Sequence, residues 1–104
     1  MADRERIERM IEDGRDSAML RLAAANACLE QSDPDAALMH LRRAVELDPA
    51  YSAAWKAYAR TLDSAGQAEA AEQAYLRGIE AAEQRGDRQA AREMQVFLKR
   101  IRAR

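Results

Sequence analysis

His40 is the single histidine and Cys28 the single cysteine of a 104-residue chain, so these two bound the chemistry the sequence offers. A histidine base needs an oriented partner, and a metal ion needs at least two further ligands. On the stretch around His40 the acidic residues Asp35 and Glu46 lie too far round a helix to help. His40 therefore reads as a surface histidine on an outer helix. Cys28 follows Ala23, Ala24, Ala25 and Ala27, an apolar setting that gives no reason for a thiolate. It reads as a buried structural thiol, and a lone cysteine excludes an internal disulfide framework. The acidic pairs Glu12/Asp13 and Asp33/Asp35 fall at expected helix ends, where capping accounts for them. There is no glycine-rich phosphate loop and no Ser/His/Asp set. No catalytic residue, cofactor or metal site is expected, and the chain does not read as an enzyme.

The elements that would hold any binding surface are all helical. Trp55, Tyr58 and Leu62 recur at helical spacing, Gly66 breaks the run, and Ala71, Tyr75 and Gly78 repeat the spacing beyond it. That is a helical hairpin. Moved back by 34 residues the pattern recurs, with Ala59 on Ala25, Leu62 on Cys28, Ala71 on Ala37, Tyr75 on Leu41 and Gly78 on Ala44. The spacing predicts helices over 2–13, 17–31, from Pro34 to about Leu47, from Ser52 to about Ala65, over 68–84 and over 88–102. Gly14, Gly66 and Gly86 are the expected ends of helices. Asp16 or Ser17, Asp33, Ser52 and Asp87 are the expected caps, and Pro49 stops the third helix. Ile7, Met10 and Ile11 keep the first helix in the same 34-residue frame. Ala91, Met94, Phe97, Leu98 and Ile101 form one face of the last helix, opposite Arg88, Arg92, Lys99, Arg100 and Arg102.

Charged residues make up 34% of the chain and nearly balance, for a net charge of -1, which removes any global field for nucleic acid or an anionic membrane. The start of the chain is charged and no long apolar run follows, so neither a signal peptide nor a membrane-spanning helix is expected, and the cytoplasm is the default compartment.

The 34-residue period with Trp55, Tyr58, Ala59, Leu62, Ala71, Tyr75 and Gly78 resembles the tetratricopeptide repeat (TPR) family, in particular a group of short bacterial members without an assigned specific function. The resemblance implies an all-α, antiparallel helix-turn-helix array, a right-handed α-solenoid of about six helices. Its single domain divides into an N-terminal helix (2–16), repeat one (18–51), repeat two (52–85) and a C-terminal capping helix (87–104). Arg21 stands where the family favours Trp, and is expected to weaken the outer edge of the first hairpin.

The family works as a binding scaffold, so the resemblance implies a protein or peptide partner held on the concave face. There the first helix of each hairpin would present Met19, Leu22, Asn26 and Leu29 from repeat one, and Ala53, Lys56, Arg60 and Asp63 from repeat two. Asn26 can pair with a peptide backbone, Lys56 and Arg60 can take a carboxylate, and Met19 and Leu22 give adaptable apolar contact. A clamp for a chaperone C-terminal tail is not expected, because Leu22 and Ala57 replace the lysine and asparagine such a clamp uses. Two other readings stand beside the adaptor. Ile7, Met10 and Phe97 are candidates for self-association. Arg88, Arg92, Lys99, Arg100, Arg102 and Arg104 are candidates for binding an anion or nucleic acid, although interleaved aromatics are missing.

Overall fold

The computed structural model describes residues 2–104. Six helices follow one another: α1 (Ala2–Glu12), α2 (Ala18–Glu30), α3 (Pro34–Leu47), α4 (Ser52–Ser64), α5 (Ala68–Gln84) and α6 (Arg88–Arg102). Their ends are set by local chemistry. Ser17 Oγ accepts from Leu20 N, Asp33 from Ala36 N and Asp87 from Ala90 N, so three of the expected caps are in place. Pro34 occupies the first turn of α3, where its missing N–H is no loss. Gly14 and Gly66 end their helices at φ of +100° and +82°, a conformation that a Cβ resists.

Two expectations about caps need correction. Ser52 is not a cap: Tyr51 holds that position without a side-chain bond, and Ser52 is a buried first residue of α4. Glu12 and Asp13 lie at the C-terminal end of α1, where a negative charge opposes the helix dipole and capping explains nothing.

Each helix packs on the next. The backbones of α2 and α4 also approach, as do those of α4 and α6, whereas α1 and α3, or α3 and α5, do not. The even helices therefore form a tight inner layer and the odd ones a splayed outer layer. This all-α repeat array curves so that α2, α4 and α6 line its concave side.

Two clusters fill the space between the layers. The larger joins α3, α4, α5 and α6 through Val45, Trp55, Leu62, Tyr75, Ile79, Met94, Leu98 and Ile101. Phe97 stacks on Tyr75 with ring centroids 5.8 Å apart. The indole N–H of Trp55 donates to Pro49 O at 2.8 Å and pins the turn before α4. Gly78 lets α5 press onto α4: a Cβ there would stand 2.8 Å from Trp55 Cβ and 2.6 Å from Met94 Sδ. The smaller cluster, in repeat one, holds only Ala25, Cys28, Ala37 and Leu41, with Leu22, Ala36, Ala57 and Tyr58 against it. Among the described residues no helix is long and apolar enough to cross a membrane.

Candidate functional site

The concave face offers two halves in different states. On α2, Met19 is 71% exposed, Leu29 39%, and Asn26 is exposed between them. Leu22 is half-buried against the smaller cluster and belongs as much to the core as to the surface. Asn26 and Leu29 meet Pro34, Ala57, Arg60, Thr61 and Ser64 around a recess of about 300 Å3 between α2 and α4. Met19, Leu22, Lys56 and Asp63 do not line that recess.

The charged half on α4 is engaged by the chain itself. Lys56 Nζ donates to Glu93 Oε1 on α6 at 3.1 Å. Arg104 donates to both oxygens of Asp63 at 2.7 and 2.8 Å, and this guanidinium holds the Asp63 carboxyl below its ordinary range. Arg60 lies 5.5 Å over the Phe97 ring. Thus α6 covers the repeat-two half and leaves the repeat-one half open, with Arg60 at the boundary.

The other candidate surfaces are likewise partly engaged. Phe97, named for self-association, stacks on Tyr75, and Ile7 and Met10 are half-buried. Of the basic residues on and just beyond the last helix, Arg102 pairs with Glu72 at 2.8 Å and Arg104 with Asp63. Arg100 lies 5.7 Å over the Phe97 ring.

The residues that sequence reasoning misplaced lie where α1, α2 and α3 meet. His40 is not on the surface: it is 4% exposed. Its partners come from other helices, which is why a search along α3 missed them. His40 Nε2 meets Glu8 Oε2 of α1 at 2.8 Å, and His40 Nδ1 meets Arg21 Nη1 of α2 at 3.0 Å. A guanidinium only donates, so Nδ1 accepts, and the imidazole proton sits on Nε2 and is donated to Glu8. This bond, with help from Arg4, holds the Glu8 carboxyl below its ordinary range. Arg21 also donates to both oxygens of Asp16 at 2.7 and 3.0 Å. Arg21 thus ties the loop before α2 to α3 through polar contacts, where the apolar cluster of repeat one is small. The 34-residue frame did hold the signal for His40, because it places His40 on the position of the buried Ala74. Cys28 is fully buried as expected, and burial pushes its thiol pKa up.

Comparison with known proteins agrees with the geometry. A family model described as tetratricopeptide repeat matches residues 28–94. A TPR repeat-containing protein of Pseudomonas aeruginosa is 42% identical over 97 residues, 93% of this chain and 92% of that protein. The solution structure of a Bordetella parapertussis protein superposes with a TM-score of 0.82 at 43% identity, over 99% of this chain and 90% of that one. The crystal structure of a tetratricopeptide repeat domain protein of Salinibacter ruber gives a TM-score of 0.79 at 23% identity, over 85% of this chain and 98% of that one, and shows the fold alone.

Proposed function

Since this chain belongs to the tetratricopeptide repeat family, whose repeats serve in general as protein-interaction modules, we propose that it is a small non-enzymatic adaptor. It holds a peptide segment of a partner protein in the recess between α2 and α4. The observation that carries this reading is the recess itself: Leu29, Ala57 and Pro34 line it with apolar surface, and Asn26 and Arg60 line it with polar groups. That arrangement suits a segment with one apolar side chain and a nearby carboxylate. Arg60 would take the carboxylate, Asn26 would read a backbone amide, and Met19 would lengthen the apolar track along α2. Lys56 and Asp63 join such a site only when α6 releases them, and Leu22 supports it mainly from beneath.

The test is a peptide-display selection on the immobilised chain, followed by anisotropy titration of the selected peptide. Leu29→Glu with Arg60→Glu is expected to abolish binding. Met39→Glu, on an exposed position of the outer helix α3, is expected to leave it unchanged. Equal affinity of the recess variant and the wild type would remove the recess as the site.

A further inference from the structure

We propose that Glu8, Cys28 and His40 form a binding site for a zinc-class divalent metal ion, between the two layers where α1, α2 and α3 meet. Each helix gives one ligand, and the carboxylate oxygen, the thiol sulfur and the imidazole nitrogen all lie within 4.8 Å of one another. A tetrahedral zinc ion with bonds of about 2.0–2.3 Å sets its ligands roughly 3.3–3.8 Å apart. The three side chains therefore close on an ion by small rotations. The donors are one soft sulfur, one imidazole and one carboxylate. That set favours zinc or cobalt over calcium and magnesium, which take oxygen ligands.

The surroundings fit an ion with an open position. Cys28 and His40 are buried, while the Glu8 side chain keeps 28% of its surface exposed. The ion enters on the Glu8 side, and a water completes its shell there. Charge closes as well. Ionised Glu8 and a Cys28 thiolate together balance a divalent ion, with His40 neutral. Arg4, now shared between Glu8, Asp33 and Gln31, keeps the last two partners when Glu8 turns to the metal.

Binding moves two protons. Cys28 gives its thiol proton to solvent, one per ion bound. His40 keeps its proton but carries it on Nδ1, so that the Nε2 lone pair faces the metal. In that tautomer Arg21 can no longer donate to Nδ1. Arg21 turns fully to Asp16, to which it already makes two bonds. Arg21 thus competes with the metal, and a side chain able to accept a hydrogen bond from Nδ1 at this position favours it.

The experiment is a titration of the untagged full chain with cobalt(II) at neutral pH, read by absorption. One ion per chain is expected, with a near-ultraviolet thiolate-to-cobalt charge-transfer band, the intense visible bands of a four-coordinate ion, and displacement of both by zinc. Cys28→Ser loses the charge-transfer band. Glu8→Gln, at a partly exposed position, keeps that band and weakens binding by about tenfold or more, at least the cost of losing a supporting partner of a metal ligand. Arg21→Gln tightens binding. Absence of the charge-transfer band in the wild type overturns the proposal, as does a band that survives Cys28→Ser. The wild-type spectrum needs no variant, so a poorly folded Cys28→Ser leaves the test standing.

Discussion

Asp63 on α4 and Arg104, just beyond the end of α6, are joined by two parallel hydrogen bonds of 2.7 and 2.8 Å. The pair closes the C-terminal end of the chain onto the inner layer, 41 residues away in sequence. With Lys56–Glu93 it makes α6 more than an apolar lid over Tyr75. The helix and the residue just beyond it also pair with charges on α4.

Arg104→Ala is expected to loosen the last turn of α6 without loosening the array. Exposed pairs contribute little to global stability, so the melting temperature should hold while amide exchange rises at residues 99–103. The same loosening should follow from acid. The lowered Asp63 carboxyl keeps the latch above the ordinary aspartate range and releases it as pH falls through that lower value. Hydrogen exchange checks both, and unchanged exchange in Arg104→Ala would show that apolar packing alone holds the end.

Gly78→Ala is expected to destabilise the protein by about 1 kcal/mol. Alanine gains roughly 0.5–1 kcal/mol as a better helix former, but overpacking costs about 1–3 kcal/mol. Met94 can move its sulfur aside, whereas Trp55 Cβ, 2.8 Å from the new methyl, moves only with the backbone of α4. Urea denaturation reads the difference. A stabilised variant would mean that α4 and α5 separate more freely than the contact implies.

Helix order and ends were legible because both are written locally. Trp55, Tyr58 and Leu62 set a phase, and Asp33-Pro34 and Gly66 punctuate it. Phase alone does not say which partner a polar side chain finds. His40 looked isolated because its acceptor, Glu8, is 32 residues away and its donor, Arg21, is 19 residues away. Ser52 failed as a cap for a related reason: the chain enters α4 from a turn pinned by Trp55 and Pro49 O, and this places Tyr51 at the boundary. On the concave face the sequence pointed to one row of residues. It had no means of showing that α6 returns over half of that row.

Leu22 and Leu29 share a helix, and their substitution by Glu should separate sharply. Leu22 packs on the smaller cluster beside Cys28 and Leu41. A carboxylate there loses part of its water without gaining a partner, at a cost of roughly 1–3 kcal/mol. Leu29, at the rim of the recess, should change stability by less than about 0.5 kcal/mol. Thermal melts of the two variants decide it. Equal melting temperatures would mean that Leu22 turns freely to solvent.

The polar network of Glu8, Asp16, Arg21 and His40 should make the fold acid-sensitive in a defined window. Asp16 is held below its ordinary range first by the hydrogen bonds from Arg21, and Glu8 first by that from His40. With both folded-state values depressed, the unfolded chain takes up protons first. The stabilisation is then whole above the unfolded values, about 3.9 for Asp and 4.3 for Glu, and drains as pH falls through the folded ones. The contribution of these two carboxylates to the denaturation free energy should therefore fall below about pH 4, the unfolded carboxylate range. Asp16→Asn and Glu8→Gln should each lower the plateau and flatten the fall. A double-mutant cycle of Asp16→Asn with Arg21→Gln should return a coupling of about 1 kcal/mol, since both groups are partly buried and the geometry is bidentate. Zero coupling would mean that Arg21 acts through His40 alone. The repeat-one hairpin, whose apolar cluster is only Ala25, Cys28, Ala37 and Leu41, would then owe its edge to the imidazole rather than to the loop before α2.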